Sequence, residues 1–419
     1  MTEARVHVVG AGIAGLACAL RLAKAGRAVT LYEAAAQAGG RCRSYHDAKL
    51  GRDIDNGNHL LLSANHAALS YVEEIGAQDS LISPPAAAFP FVDLASGERW
   101  TVKPNAGPIP WWVLNPRRRI PGTSLSAHLA ALRFAFAAPG DRVADIADPK
   151  DPLWPRFWEP LTVAALNTDP RKASARLLWL VLRETFAKGE AACRPLIARE
   201  GLGPSLIEPA LARLRGQGAE ILFNRRLRAL SLGSERAEKL CMAEGDVTLA
   251  PGEAVVLALP PAVAGGLLPD LVVPQESTAI VNAHIILPRA NTLPPELPFI
   301  GLVGGTADWI FARGDLASLT VSAADRLAEE PAEAIAERMW QDTAKALGLD
   351  PAPAPPVRVI KEKRATFAQT PEALRLRPPN RTRWANLALA GDWTDTGYPA
   401  TIESAVRSGR NAAELVLSQ

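Results

Sequence analysis

Cysteine, long apolar runs and secretion signals are scarce or missing in this 419-residue chain. The cysteines are Cys18, Cys42, Cys193 and Cys241. They show no CxxC or other metal-ligand spacing, so we expect ordinary thiols of a reducing compartment. No run of 18 apolar residues occurs, and the glycine-punctuated start HVVGAGIAGLACAL lacks a basic leader and a cleavage site. We therefore expect a cytoplasmic protein, with contact to a membrane surface left open.

An excess of either charge is also missing. The chain has 46 Lys and Arg against 44 Asp and Glu, a formal net charge of +2 at pH 7. Nucleic-acid binding relies on a basic face, and this balance gives no reason to expect one. Apolar residues make up 48% and charged residues 21% of the chain, which is typical of a globular protein. The length favours two domains.

What the chain does have begins near its N-terminus, with the segment RVHVVGAGIAG. The valines predict a short buried strand, and a helix rich in alanine and leucine follows the G-x-G-x-x-G motif. The glycines permit a tight turn, let backbone amides approach a pyrophosphate and allow close packing of helix on strand. The helix start adds unpaired N–H groups and partial positive charge. The residues of this predicted phosphate site are Gly10, Gly12, Ile13, Ala14 and Gly15.

A second predicted strand follows and ends in Glu33. A carboxylate at this place can accept hydrogen bonds from a ribose diol. The chain then reads AAAQAGGRCRS, where a plain nicotinamide-binding domain usually proceeds into another βα unit. Gly39, Gly40 and Arg41 supply a second backbone loop and a guanidinium, which suit further phosphate and ribityl oxygens. The N-terminal segment is therefore predicted to bind a dinucleotide.

The C-terminal segment AGDWTDTGYPATIESAVRSG, residues 390–409, has the form of the other half of a cofactor site. The apolar residues before Gly391 and Asp392 predict a terminal strand, and a helix is predicted to open around Pro399. The alternative is an ordinary terminal strand and helix. No second G-x-G-x-x-G motif occurs in the chain, so we expect no built-in nicotinamide domain.

The E-x(5)-GGR continuation of the N-terminal motif resembles the FAD-binding amine oxidase and phytoene desaturase superfamily. The resemblance implies an α/β fold, in which a Rossmann-type FAD-binding domain carries an inserted α+β substrate domain and binds FAD non-covalently. It also implies that Gly391 and Asp392 return to the ribityl–pyrophosphate region. The helix start at Thr401 and Ile402 would face the flavin pyrimidine ring, and Leu227 would lie beside the adenine.

Three segments are predicted to build the FAD-binding domain, namely residues 1–95, 195–265 and 355–419. The substrate domain would consist of the two insertions, residues 96–194 and 266–354. Six of the ten tryptophans fall in the first insertion. They indicate either an ordinary core or an apolar substrate tunnel with one face resting on lipid.

The stretch LGRDIDNGNHLLLSAN lies where the superfamily places D-x-G-x-H beside the flavin. By this resemblance Asp55 and His59 are the candidates for a proton donor or for positioning one, and Asn58 is expected to contact the cofactor. A histidine at a glycine-rich turn is as often structural as functional. His66, seven residues after His59 on a helical pattern, is predicted to be incidental.

That stretch, the tryptophan-containing insertion, IKEKRATFAQTP and the C-terminal motif together resemble the squalene-associated branch of the superfamily, the hydroxysqualene dehydroxylases of bacterial hopanoid biosynthesis. The resemblance implies reductive dehydroxylation of hydroxysqualene to squalene, in which the allylic alcohol loses water and reduced flavin delivers hydride. It further implies an apolar isoprenoid substrate and an external electron donor.

Other functions remain compatible with the sequence. One is a carotenoid-type, phytoene-like desaturase, which also needs an apolar tunnel. Another is an amine oxidase, but Thr401 stands where those enzymes commonly place a tyrosine of their aromatic cage. A third, from a different class, is a lipid-binding protein that keeps FAD for stability, and the complete set of glycine motifs argues against it.

Overall fold

The central sheet is parallel and is assembled from both ends of the chain. The structure, a computed structural model, describes residues 4–419. In sheet order the strands are Glu220–Leu222, Val29–Tyr32, Val6–Val9, Ala254–Leu257 and Leu387–Leu389. Numbered along the chain, this is the order 3-2-1-4-5 of a Rossmann-type sheet. Along the chain, Val6–Val9 is the first of these strands and Leu387–Leu389 is the last. Because the sheet is parallel, their carboxyl ends lie at the same edge of the sheet.

Close helix packing joins the two ends of the chain a second time. Helix Ile402–Leu417 packs on helix Ile13–Lys24, and both belong to the largest apolar core cluster. A Cβ atom at Gly409 would lie 2.1 Å from the carbonyl oxygen of Ala14. Glycine at this position is thus what lets the two helices approach each other.

A second, larger sheet is mixed. In sheet order its strands are Val357–Phe367, Ser277–Ile286, Leu316–Val321, Trp309–Arg313, Phe299–Val303, Phe89–Asp93 and Arg99–Val102. All neighbours are antiparallel except Phe299–Val303 with Phe89–Asp93. One face shares a core with helix Ala332–Leu347. Aromatic residues of the sheet belong to a core cluster formed with the tryptophan-rich insertion.

The pairing of the larger sheet bears on the predicted domains. The parallel sheet draws on each of the three segments predicted for the FAD-binding domain. However, Phe89–Asp93 and Val357–Phe367, from the first and third of those segments, pair with strands of the insertions. The division into two domains stays a prediction, and this pairing groups the two strands with the substrate domain.

The remaining elements are short. Smaller sheets are Leu227–Leu232 with Ala237–Met242 and Val247–Thr248, Ser44–Asp47 with Arg52–Asp55, and Leu60–Leu62 with Pro195–Ala198 and Leu81–Ile82. Further α-helices are His66–Glu74, Leu125–Leu129, Val143–Ile146, Glu159–Leu166, Ala175–Glu184, Glu208–Gly216, Pro261–Leu267, Asp325–Ala328 and Pro371–Leu374. Among residues 4–419 no helix combines the length and the apolar character that crossing a membrane requires.

Candidate cofactor and active site

The glycine-rich turn after the first strand forms an open cradle. Gly10 has φ +106°, and a Cβ atom there would lie 2.2 Å from the carbonyl oxygen of Ala258. A Cβ atom at Gly15 would lie 1.9 Å from the carbonyl oxygen of Gly10. At Gly12, by contrast, no atom lies within 4 Å of that position. Gly10 and Gly15 therefore allow the turn to pack, whereas Gly12 leaves space for a ligand to approach the backbone.

The helix that follows this turn begins without a cap. Helix Ile13–Lys24 has no side-chain hydrogen bond at its N-cap, Gly12, and no acidic residue in its first turn. The N–H groups at its start, including those of Ile13 and Ala14, have no intrahelical partner. Such a helix start binds phosphate groups, so this one fits a pyrophosphate.

The second glycine loop lies directly against the first. Gly39 has φ +109° and its N–H donates a hydrogen bond to the carbonyl oxygen of Ala11, at 2.9 Å. A Cβ atom on Gly40 would lie 3.7 Å from the Cα atom of Gly12. Glu33 accepts a hydrogen bond from the Ala11 N–H at 3.0 Å, and it is only half-buried. The two loops and the predicted ribose-binding carboxylate thus form one groove.

The C-terminal turn returns to this groove through Asp392. Asp392 is buried, and its carboxylate accepts two hydrogen bonds from Arg41. That carboxylate raises the pKa of Arg41, which therefore stays charged. Gly391, with φ +153°, donates its N–H to the hydroxyl of Ser408 at 2.9 Å. The sequence predicted that Arg41 faces phosphate and ribityl oxygens, but here it also connects the two halves of the site.

The start of the C-terminal helix, unlike that of the first helix, carries a side-chain cap. Thr401 is the N-cap of helix Ile402–Leu417, and its hydroxyl accepts a hydrogen bond from the Ser404 N–H at 3.4 Å. The acidic residue of the first turn, Glu403, is directed elsewhere and accepts a hydrogen bond from the Ala68 N–H at 2.8 Å. Glu403 thereby caps helix His66–Glu74. The start of helix Ile402–Leu417 keeps its partial positive charge for a ligand.

A chain of hydrogen bonds connects Asn58 to the larger sheet. Its amide nitrogen donates to the hydroxyl of Thr320 at 2.9 Å, and Thr320 donates to the side-chain oxygen of Asn282 at 2.9 Å. Asn282 in turn donates to the carbonyl oxygen of Asn56 at 3.2 Å. The side-chain oxygen of Asn58 is buried and accepts no hydrogen bond from residues 4–419. A buried acceptor without a partner fits a ligand that supplies the donor.

Asp55 is held by an ion pair and by hydrogen bonds to one of its two carboxylate oxygens. One carboxylate oxygen accepts hydrogen bonds from the Ser44 hydroxyl at 2.5 Å and the Leu202 N–H at 2.9 Å. The other lies 2.8 Å from a terminal nitrogen of Arg313. The side chain is only 1% exposed. These contacts give Asp55 a structural task, and its predicted role in proton donation stays a prediction that they do not favour.

His59 is placed quite differently. It is half-buried, and its imidazole forms no hydrogen bond with residues 4–419. Burial and the nearby positive charge of Arg41 lower the pKa of His59 to about 4. The ring is therefore neutral near pH 7, and both nitrogens are free to face a ligand. His59 fits a positioning role better than that of an acid.

Leu227 and His66 are the two remaining residues that the sequence singled out. Leu227 begins the strand Leu227–Leu232 of a small antiparallel sheet and is buried in a core cluster with Val9 and Tyr32. Its contact with an adenine stays a prediction. His66 is the first residue of helix His66–Glu74, as its helical pattern indicated.

A carboxyl group that no sequence motif marks, that of Asp308, lies next to the network of hydrogen bonds around Asn58. Its N–H donates to the carbonyl oxygen of Thr320 at 2.9 Å, and its carboxylate accepts from the Ser322 N–H at 2.6 Å. Burial raises the pKa of Asp308 to about 7, and Glu159 adds to the effect. Thr320 is the residue that also binds Asn58. Nothing in the surrounding GGTADWIF marks this position, because residues far away in the chain bury it.

Together these features define an oxidoreductase with a nucleotide-type cofactor groove, built from a Rossmann-type sheet, two facing glycine loops and the starts of helices Ile13–Lys24 and Ile402–Leu417. The chain belongs to the family of flavin-containing amine oxidoreductases, whose model matches residues 13–417. The predicted fold class is thereby confirmed, and the groove fits a flavin.

Similarity to individual proteins extends over the whole chain. A hydroxysqualene dehydroxylase of Rhodopseudomonas palustris is 48% identical, with 99% of this chain and 98% of that protein covered. One of Zymomonas mobilis is 45% identical, with 98% and 99% covered. A 15-cis-phytoene desaturase of an Oncidium hybrid cultivar is 24% identical, with 98% and 77% covered. Cyclohexylamine oxidase of Brevibacterium oxydans superposes with a TM-score of 0.69 at 16% identity, with 99% of each chain covered, which shows a shared fold.

Proposed function

We propose that this chain is an FAD-dependent enzyme that removes the hydroxyl group of hydroxysqualene and yields squalene, in squalene and hopanoid biosynthesis. The observation that carries the proposal is the similarity to a hydroxysqualene dehydroxylase at 48% identity over 99% of the chain. In the balanced reaction, the allylic alcohol takes up one proton and one hydride and releases one water. Two electrons must therefore come from an external donor.

FAD is proposed as the flavin because the groove offers a site for each part of a dinucleotide. The open backbone at Gly12 suits the pyrophosphate, and Glu33 suits the ribose of an adenosine. Asp392 and the helix start at Thr401 suit the opposite end of the cofactor. When bound in its reduced form, FAD supplies the hydride. The last cysteine of the chain is Cys241, so no thiol in the C-terminal motif can form a covalent link.

Three groups are candidates for the proton donor. Asp55 is held in an ion pair with Arg313, and His59 is neutral near pH 7 because burial lowers its pKa to about 4. Burial raises the pKa of Asp308 to about 7, so a substantial fraction of this carboxyl group is protonated at neutral pH. We therefore propose that Asp308 protonates the departing hydroxyl group. We assign His59 to orientation of the cofactor or of the substrate.

Aromatic side chains would keep this site dry. Phe89, Phe299 and Trp309 of the larger sheet pack together, with ring centroids 6.0 to 6.3 Å apart. Phe186 joins the insertion to this group, with its ring centroid 6.4 Å from that of Phe89. Such rings exclude water from an isoprenoid chain, and their faces stabilise a carbocation left when water departs.

The test is a single-turnover experiment. The purified, FAD-loaded protein is reduced with dithionite without oxygen and mixed with hydroxysqualene, while flavin absorbance and the lipid products are followed. We expect reoxidation of the flavin and formation of squalene in equal amounts. A flavin that stays reduced, or oxidises without squalene, would contradict the proposal.

A carotenoid-type desaturase is the second candidate, because phytoene desaturases match this chain over most of its length. Phytoene offered to the oxidised protein separates the two, since a desaturase would reduce the flavin and form a more unsaturated product. An isoprenoid of this length partitions into lipid. We accordingly also propose that the protein acts in the cytoplasm, in peripheral contact with a membrane.

A further inference from the structure

Most large apolar side chains are buried, but one region is an exception. Nine large apolar side chains within residues 4–419 are exposed, and six of them fall between residues 109 and 136. These six form what is called here the apolar patch, namely Ile109, Trp111, Leu114, Leu129, Leu132 and Phe136. Trp111 is 57% and Phe136 88% exposed. A cluster of this kind marks a binding surface, whereas single exposed apolar residues need no explanation.

The two halves of the apolar patch are held together by buried neighbours. Trp112, next to Trp111, packs edge-on against the ring of His128, next to Leu129, with centroids 5.6 Å apart. The loop before Trp112 is fixed by Asn105, whose side chain accepts from the Trp112 N–H at 3.0 Å and donates to a loop carbonyl at 2.8 Å. The surface is therefore preformed.

The chain segment that carries the apolar patch is basic. Residues 103–140 contain no Asp or Glu and five basic residues, namely Lys103, Arg117, Arg118, Arg119 and Arg133. Within residues 4–419 none of the five forms an ion pair with a carboxylate. Asp141 and Asp145 line a small pocket with Arg133 and Phe136 at one end of the patch, and the Glu190 N–H donates to the carbonyl oxygen of Asn105 at 2.9 Å. In a chain whose net charge is only +2, this is a local concentration of positive charge.

We propose that the apolar patch and its basic residues dock the protein onto the surface of anionic phospholipid bilayers. Trp111 and Phe136 would enter the boundary between headgroups and acyl chains, and the arginines would contact lipid phosphates. The surface supports peripheral attachment, since no helix in the described part of the chain is suited to span a bilayer.

A second copy of the chain fits this surface less well. A symmetric dimer would bring the same patch of both copies together and so place ten basic residues, five from each, opposite one another without an anion. An anionic bilayer supplies the opposite charge along with an apolar interior. Behind the patch, Trp112 and Phe134 belong to the apolar cluster that also contacts Trp309 of the larger sheet. Docking would therefore bring the predicted substrate domain to the lipid.

The experiment is sedimentation of the FAD-loaded protein with sucrose-filled vesicles of phosphatidylcholine, with and without phosphatidylglycerol. We expect binding to the anionic vesicles that weakens as salt is added. Replacement of both aromatic residues, Trp111→Ser with Phe136→Ser, is expected to weaken binding on the order of tenfold. Arg117→Gln with Arg118→Gln should abolish the preference for phosphatidylglycerol. Val272→Ser, a substitution of another exposed apolar residue outside the patch, should bind like the wild type.

Wild-type protein that stays in the supernatant with anionic vesicles would overturn the proposal. So would aromatic variants that bind like the wild type, or a dimer in solution that these variants dissociate. Docking rests on the proposed function in one respect only: it would give the enzyme access to a substrate that is dissolved in lipid. Turnover of hydroxysqualene in detergent micelles should be equal in wild type and aromatic variants. If micellar turnover fails in both while vesicle binding persists, the proposed function fails and the docking surface stands.

Discussion

Arg41 donates hydrogen bonds from both terminal nitrogens to the carboxylate of Asp392, at 2.8 and 2.9 Å, across 351 residues of chain. The Asp392 side chain is 7% exposed and that of Arg41 44%. A bidentate pair of this kind fixes both position and orientation. It holds the second glycine loop against the C-terminal turn, so the two halves of the cofactor groove are joined at the ligand site as well as through the sheet.

The first prediction concerns this pair. Arg41→Lys keeps the charge but cannot form both hydrogen bonds, so we expect FAD affinity to fall on the order of tenfold or more. Titration of the cofactor-free protein with FAD, followed by quenching of flavin fluorescence, measures the change. Arg52→Ala is the matched control, because Arg52 also forms a bidentate pair with a distant residue, Asp315, away from the glycine loops. Equal loss of affinity in both variants would contradict the assignment.

The second prediction tests the helix contact that joins the chain ends. Gly409→Ala would place a methyl group 2.1 Å from the carbonyl oxygen of Ala14, so we expect the free energy of unfolding to fall by about 1 to 3 kcal/mol. Gly216→Ala is the control, since no atom lies within 4 Å of a Cβ atom there. It should change stability by no more than about 1 kcal/mol. Chemical denaturation of both variants gives the comparison, and similar values for the two would refute this reading of the packing.

The cofactor groove was largely accessible from the sequence. A β-branched strand, a glycine motif, a helix and a second strand ending in Glu33 are consecutive, so local pattern and spacing are enough to predict them. The helix predicted to open around Pro399 begins at Ile402, with Thr401 as its N-cap. These features depend on neighbours in the chain, which is why they can be recognised without a structure.

The candidate catalytic groups were harder to predict because their protonation and their hydrogen bonds depend on residues far away in the chain. Asp55 stands in a family motif, but its partner Arg313 is 258 positions away and gives it a structural task. Asp308 carries no motif, and its environment is created by a neighbouring strand and by the insertion that contains Glu159. Arg41 was predicted to bind the cofactor because a guanidinium suits phosphate oxygens. Its pairing with Asp392 could be seen only in the folded structure.

The third prediction concerns stability and pH. Burial raises the pKa of Asp308 from 3.8 to about 7, so between these values the folded protein holds a proton that the unfolded chain has released. The contribution of this group to the free energy of unfolding therefore falls as the pH rises through that window. Asp308→Asn removes the effect, so the stability of the variant relative to wild type should increase from pH 4 to pH 7 and then level off.

Denaturant titrations at several pH values measure this difference. Asp315→Asn should show the opposite trend, because its hydrogen bond with Arg52 lowers the pKa of Asp315. That variant should lose stability at neutral pH and resemble the wild type in acid. A relative stability of Asp308→Asn that does not vary with pH would show that the carboxyl group titrates normally.

The fourth prediction concerns the proton donor. If Asp308 protonates the departing hydroxyl group, the rate of squalene formation by reduced enzyme should fall above about pH 7, where this carboxyl group loses its proton. Asp308→Asn should be slower by about 100-fold or more, and its rate should lack that limb. Single-turnover rates across pH test both points, with FAD affinity as the control. A slow variant that keeps the wild-type pH profile would reduce Asp308 to a positioning residue.

The last prediction concerns His59, whose pKa is lowered to about 4 by burial and by Arg41. Between about pH 4 and 6.5 the folded protein binds fewer protons at this site than the unfolded chain, so the contribution of His59 to stability falls as the pH falls through that range. His59→Gln should remove this loss, and its stability relative to wild type should rise on acidification. Because the ring is neutral from pH 5 to 8, the variant should also keep the wild-type shape of the pH–rate profile even where it turns over more slowly. A limb between pH 5 and 8 that disappears in His59→Gln would mean that His59 titrates there and takes part in proton transfer.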